Sequence, residues 1–133
     1  PKGGVYTPAK EFGNGLVYVS GCGPVVGETL IQGKLGKDYT VEQGQEYARN
    51  CMLNVLAVLE ANIGLDKIKQ PGKILTLGSR ADDFFDQPAV ANGGSQLLAD
   101  LFGAENVPSR SAIGVNALPG NIPVETEALF ELK

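Results

Sequence analysis

The sequence predicts an α+β fold in which two helices cover one face of a mixed sheet. Three observations predict it: an apolar stripe at helical spacing from Val41 to Leu59, a second helical pattern from about Pro88 to Phe102, and β-rich runs before, between and after them. At 133 residues the chain is long enough for one domain with a real core and short for two, so residues 1–133 are read as a single domain.

After a lead containing Gly and Pro, Leu16-Val17-Tyr18-Val19-Ser20 reads as a strand stopped by Gly21-Cys22-Gly23-Pro24. Thr29 to Gln32 reads as a second, weaker strand. Thr40-Val41-Glu42-Gln43 matches a capping box, in which the Thr hydroxyl takes a free N–H and Gln43 reaches back. Val41, Gly44, Ala48, Cys51, Met52, Val55, Leu56 and Leu59 then form one face of a helix of about six turns ending near Gly64. Pro71-Gly72 breaks the chain before a strand over Lys73–Gly78. The second helix packs through Val90, Leu97, Leu98, Leu101 and Phe102 and stops at Gly103, with Gly93-Gly94 weakening its first turns. The last segments read as strands, Ser111 to Ala117 and Val124 to Leu132, joined as hairpin neighbours by a Pro119-Gly120 turn. In the final strand Val124, Thr126, Ala128, Phe130 and Leu132 share one face, and Glu125, Glu127, Leu129 and Glu131 the other. The second sheet face then lacks cover, so oligomerisation through it is expected.

Composition narrows the chemistry. Hydrophobic residues make up 43% and charged residues 20%, which argues against disorder. The chain has no histidine, which excludes Ser-His-Asp and Cys-His nucleophile systems and His-ligated metal sites. The net charge of -4 removes any general attraction to phosphate backbones, so nucleic acid is not the expected partner. Two cysteines, Cys22 and Cys51, are too few for a disulfide framework or a zinc site, and a reduced, cytoplasmic chain is the simplest reading. The longest apolar run, Val55 to Leu59, is far short of the ~20 residues that span a bilayer. No signal-peptide pattern precedes the first strand, and the start at Pro1 without Met points to trimming or a chosen boundary.

Phosphate loops fail on spacing. Gly27 to Gly33-Lys34 encloses five residues where a Walker loop needs four, and Leu35 replaces the Ser or Thr. Cys22, between two glycines, is either an exposed thiol or a turn residue lining a ligand; Cys51, on the helix stripe, is a small core side chain. Between Arg80 and Lys133 the only cation is Arg110, in a stretch where residues 74–133 carry 3 basic and 8 acidic side chains. It is either a surface Arg paired with a neighbouring acid or a planar clamp for a substrate carboxylate. Glu125 and Glu127 share one strand face, and Arg110 reaches them only if the strand register is loose or another subunit intervenes.

These residues carry a resemblance. Leu16-Val17-Tyr18-Val19-Ser20-Gly21 with Pro24, and Arg110-Ser111-Ala112-Ile113-Gly114-Val115 with Leu118-Pro119 and Val124-Glu125-Thr126-Glu127-Ala128, resemble the opening and closing signatures of the YjgF/RidA family. Thr40-Val41-Glu42-Gln43-Gly44 and Pro88-Ala89-Val90-Ala91-Asn92-Gly93 are similar to its endoribonuclease L-PSP-like subgroup. The resemblance implies a chorismate-mutase-like (YjgF-type) subunit, a homotrimer with a central barrel, and clefts between subunits. It implies a deaminase that hydrolyses enamine and imine intermediates such as 2-aminoacrylate to 2-oxo acids and ammonia. No metal or cofactor is required for this, and the partner is a small imino or oxo acid.

By position, the resemblance makes Arg110 the carboxylate-binding arginine and Glu125 the glutamate that orients water. Ser20 and Gly21 match the Ser-Gly segment of the site, Tyr6 an N-terminal tyrosine, and Asn92 a helix asparagine. Cys22-Gly23 stands where many members have Gln-Ile, and Ala112 where deaminases often have Cys, so the pocket floor is altered and the substrate is open. The alternatives are a non-catalytic trimer that senses small carboxylates and an endoribonuclease; the acidic charge and the lack of histidine argue against the latter.

Overall fold

The computed structural model describes residues 4–133. Gly13 and Gly15 hold φ of 60° and 90°, a sharp turn that lets Ala9–Phe12 (β1) pair antiparallel with Leu16–Cys22 (β2). The hairpin partner of the Leu16 run therefore precedes it. Thr29 to Gln32, expected as a second, weaker strand, is irregular. Nearby backbone groups bond elsewhere: Gly33 N–H donates to Asn121 O at 2.9 Å and Leu35 N–H to Ser79 O at 2.9 Å, so this segment is anchored to loop and strand ends instead of a ladder.

Thr40 caps the first helix as the sequence requires. Its Oγ accepts from Gln43 N–H at 3.2 Å and its own N–H donates to Gln43 Oε1 at 2.9 Å. The helix, Val41–Asn62 (α1), buries Gly44, Ala48, Cys51, Met52, Val55, Leu56 and Leu59 along one stripe. Ile68–Ser79 (β3) follows, and it runs straight through Pro71-Gly72. The expected break is a register shift against the final strand between Pro71 and Lys73, a bulge that absorbs the missing proline N–H without ending the strand.

The second helix, Gln87–Phe102 (α2), has Pro88 in its first turn and Gly103 at its end with φ 96°. A Cβ on Gly93 would lie 2.7 Å from the carbonyl carbon of Gln45, and one on Gly94 would lie 3.2 Å from Ala48 O. The glycine pair lowers helix propensity and in exchange lets α2 rest backbone to backbone on α1. Leu101, expected on the packed side, is 58% exposed; Leu97 and Leu98 carry the contact.

Ser109–Val115 (β4) begins and ends two residues earlier than the sequence reading and pairs parallel with β3, the strand–helix–strand crossover made by α2. Val124–Leu132 (β5) inserts between β2 and β3, antiparallel to both. The sheet order is β1-β2-β5-β3-β4, so the last two strands are not hairpin neighbours; β3 lies between them. The alternation of β5 explains its central place: Val124, Thr126, Ala128 and Phe130 are buried beneath the helices, and Glu125, Glu127, Leu129 and Glu131 point to the other face. Phe130, Met52, Leu59, Ile74 and Leu98 form the main core, and Leu35, Cys51, Phe84, Val90 and Val124 a second cluster. Neither helix covers the opposite face, where Tyr18 and Ile113 are exposed and Leu75, Leu77 and Leu129 are half-buried.

Candidate functional site

The register of β2 on β5 shifts between Val19 and Cys22, and the irregular stretch sets Ser20-Gly21-Cys22 beside the start of β5. Ser20 is fastened twice to the chain before β1: its N–H donates to Pro8 O at 2.9 Å and its Oγ to Thr7 O at 2.8 Å. Gly21 lies against Glu125. A Cβ there would come within 2.9 Å of the Glu125 Cδ and 3.2 Å of its Cγ, so only glycine leaves room for that side chain. A cleft of about 510 Å³ opens beside this segment, with Tyr6, Ser20, Gly21 and Cys22 among its lining. A shallower hollow of about 450 Å³ lies alongside, shared by Tyr6, Ser20, Gly21, Tyr18, Lys10 and Glu127.

Glu125 is half-buried, and burial together with the neighbouring Glu127 charge pushes its carboxyl above the usual range. Such a group sits closer to the working range of a proton acceptor than an ordinary surface carboxylate. Tyr18 Oη donates to Glu127 Oε2, which fixes the second carboxylate and, with burial, raises the tyrosine above its ordinary value. The Cys22 thiol is pushed up to about 11, by burial first and by the Glu125 charge second, and its Sγ donates to Ser20 O at 3.4 Å. It is a protonated lining group at neutral pH, which removes the activation that a thiol nucleophile needs. Cys51 is buried in the core with its Sγ donating to Val124 O at 3.4 Å.

Arg110 lies elsewhere. It pairs across the ladder with the buried Ile74, which turns its side chain toward α2, where Nη1 donates to Asn92 Oδ1 at 2.8 Å and to Ser95 Oγ at 3.1 Å. Ala112, two residues on, opposes the buried Thr76 and shares that face. The single ion pair among the described residues is Lys69 with Glu131 at 4.0 Å, so Arg110 is not the paired surface arginine that its acidic surroundings suggest. Two neutral groups orient the guanidinium and leave its charge uncompensated.

The residues singled out in the sequence therefore form two groups. Tyr6, Ser20, Gly21, Cys22 and Glu125 meet at the end of β2; Arg110, Asn92 and Ala112 meet on the edge strand. Arg110 lies level with Ala128 through Ile74, and Glu125 lies level with Leu77. That leaves about 10 Å across two strand spacings and about 10 Å along three residues, on opposite faces of the sheet. One chain does not bring the two to one small molecule. Sequence reasoning missed Ser95 and Tyr18. Ser95 was accessible as the residue one helical turn after Asn92, and Tyr18 through the strand alternation that sets it opposite Leu129, diagonal to Glu127. No cluster of three or more His, Cys, Asp or Glu able to hold a metal ion occurs among the described residues.

A family model described as "YjgF/chorismate mutase-like, putative endoribonuclease" matches residues 2–128. Protein TCP17 of Trypanosoma cruzi is 40% identical over 104 residues, which cover 77% of this chain and 65% of that protein. The chain thus spans just under two thirds of that relative's length. The crystal structure of Atu1372 from Agrobacterium tumefaciens, a protein of unknown function, superposes with a TM-score of 0.91 at 33% identity, covering 99% of this chain and 85% of that one. Escherichia coli TdcF, solved with bound serine, superposes with a TM-score of 0.67 at 25% identity, covering 98% and 90%.

Proposed function

The chain belongs to the YjgF/chorismate mutase-like family, and from that premise we propose that it hydrolyses small 2-imino acids to 2-oxo acids and ammonia. The observation that carries this reading is Arg110, a guanidinium held by Asn92 and Ser95 with no carboxylate of its own. Its planar fork suits a carboxylate ligand, and the serine bound to TdcF is a small molecule bearing that group.

An imine carbon is already electrophilic, so the chain's task is orientation and charge placement. Arg110 holds the substrate carboxylate. Glu125, with its raised affinity for a proton, orients a water and accepts its proton as the oxygen bonds to the imine carbon. The π pair of the carbon–nitrogen double bond moves to nitrogen and takes that proton back from the carboxyl, giving the carbinolamine; its hydroxyl proton then passes by way of Glu125 to the nitrogen as the remaining carbon–nitrogen bond breaks, leaving the 2-oxo acid and ammonia. Ser20, Gly21, Tyr6 and the Cys22 thiol line the space beside that carbon, while Ala112 and Asn92 surround the arginine.

Since Arg110 and Glu125 lie on opposite faces of one sheet, the reading requires a second copy of the chain. A homotrimer closed through the helix-free face would cover Tyr18, Ile113, Leu75, Leu77 and Leu129 and bring the arginine of one copy to the glutamate of the next. A cytoplasmic setting suits the two free thiols; no helix among the described residues is long and apolar enough to cross a membrane.

The test is to generate 2-aminoacrylate with a serine dehydratase and follow oxo-acid release with and without the protein. The wild type accelerates release and Arg110→Ala does not. Equal rates for the two refute the reading, and tight Arg110-dependent binding of 2-oxo acids without turnover makes the protein a carboxylate sensor. RNA cleavage that survives purification and vanishes in Glu125→Gln would favour the endoribonuclease named in the family description.

A further inference from the structure

A second arginine, Arg80, lies over the face of β4 that carries Arg110, and no step of the proposed hydrolysis uses it. By strand alternation the β4 residues that face α2 are Arg110, Ala112 and Gly114. A Cβ on Gly114 would lie 2.5 Å from Arg80 Nε and 2.5 Å from Gln87 Nε2, so the Arg80 side chain crosses that glycine and meets Gln87, the first residue of α2. Arg80 Nη1 donates to two backbone carbonyls, Ala81 O at 3.1 Å and Asp82 O at 3.2 Å. Asp82, Asp83 and Asp86 belong to the same loop, yet none forms an ion pair with it; the single ion pair among the described residues is Lys69 with Glu131. Arg80 thus matches Arg110: half-buried, oriented by neutral groups, and with its charge uncompensated. Since only Nη1 is engaged among the described residues, the edge formed by Nε and Nη2 is open to a bidentate carboxylate.

The two guanidinium groups stand at opposite ends of one track between β4 and α2. Arg110 to Gly114 is about 13 Å along the strand, and Gln87 to Asn92 and Ser95 is about 8–12 Å along the helix, so the groups are about 10–13 Å apart. Between them β4 offers only the methyl of Ala112 and the bare backbone of Gly114, both half-buried. Each arginine holds a carboxyl carbon about 4 Å from its own central carbon, which leaves up to about 5 Å between two carboxylates. In an extended four- or five-carbon diacid, built from ~1.5 Å bonds, the carboxyl carbons are about 4–5 Å apart. We propose that Arg80 holds a second carboxylate, and that the preferred ligands are dicarboxylic 2-oxo and 2-imino acids of four or five carbons. The proposal rests on the reading of Arg110 as the holder of the first carboxylate and extends it from one anionic group to two. Arg80 is a specificity-determining residue in this account, and the charge-assisted bonds it makes yield at least tenfold in affinity.

The experiment is calorimetric titration with 2-oxoglutarate and with 2-oxopentanoate, which has the same number of carbons and a methyl in place of the second carboxylate. The wild type binds the diacid at least tenfold more tightly. In Arg80→Gln that ratio falls toward one, and Arg80→Lys, which keeps the charge and loses the fork, retains part of it. Gly114→Ala lowers the ratio independently, because its methyl displaces the Arg80 side chain without removing it. Thermal melts of the three variants confirm that each is folded. If both acids bind equally and both need Arg110, or if a high ratio survives Arg80→Gln, the assignment of Arg80 is wrong while that of Arg110 stands. If neither acid binds, or if Arg110→Ala leaves binding intact, the reading of Arg110 fails and takes the assignment with it.

Discussion

Gly21 and Glu125 are in van der Waals contact across the β2–β5 pairing, so close that any Cβ at position 21 would sit 2.9 Å from the glutamate Cδ. The glycine is there for space, because its φ lies outside the left-handed region that would demand glycine for conformational reasons.

Gly21→Ala should therefore leave the fold intact and move the carboxylate. A glutamate side chain rotates away at a cost of about 1 kcal/mol or less, so the melting temperature changes by a few degrees at most. Imine hydrolysis falls at least tenfold, since misplacing a water-orienting group by about 1 Å is enough for a large loss. Steady-state kinetics beside a thermal melt separate the two effects.

Glu125 also fixes the pH dependence. Its carboxyl is raised by burial and by Glu127, so the ionised form costs folding energy that the unfolded chain does not incur. That cost is fully present above the folded-state pKa and disappears as pH falls below the unfolded value near 4.3. Activity, which needs the carboxylate, declines on acidification with a midpoint above that of an ordinary glutamate. Glu125→Gln loses hydrolysis, yet it raises the melting temperature at pH 7 and not at pH 4. Melts at the two pH values check the sign, and a variant that melts lower at pH 7 contradicts it.

Cys22 should be inert. With its thiol pushed up to about 11, the thiolate population at neutral pH is about a hundredfold below that of an ordinary cysteine. Iodoacetamide labelling at pH 7.5 is accordingly slow in the native protein and fast in urea, and Cys22→Ser keeps imine hydrolysis within a fewfold of wild type. Rapid native labelling at Cys22 would reopen a nucleophilic role.

Gly93 carries the helix pairing. The atoms that a Cβ would strike are the backbone of Gln45, 2.7 Å and 3.0 Å away, and helical backbone just past the first turn of α1 cannot step aside as a side chain can. Gly93→Ala is expected to cost about 2–3 kcal/mol despite the better helix propensity of alanine, a loss that urea denaturation would register. A neutral or stabilising result would mean that the two helices separate easily.

What the sequence showed follows from how local each signal is. The Thr40 cap, the apolar stripe to Leu59 and the alternation of β5 are set by neighbours within a few residues, and all three stand as read. The partnership of β4 was not legible, because a Pro119-Gly120 turn between two strands reads as a hairpin, and nothing local records that β5 passes over to lie between β2 and β3. Gly93 and Gly94 looked like weaknesses because the backbone they accommodate is more than forty residues away in sequence. At the site, the residue types of Arg110, Asn92 and Glu125 were readable, and their separation onto two faces was not. Facing direction depends on register with β3, and register is a long-range property.

That separation is the centre of the functional account, and mixed oligomers test it directly. Arg110→Ala and Glu125→Gln chains, each inactive alone, are unfolded together in equal amounts and refolded. If every cleft takes its arginine from one copy and its glutamate from another, about one quarter of the clefts regain both groups, and imine hydrolysis returns to about a quarter of wild type. A refolded mixture of normal oligomeric size that stays as inactive as its two parents would contradict a site shared between copies.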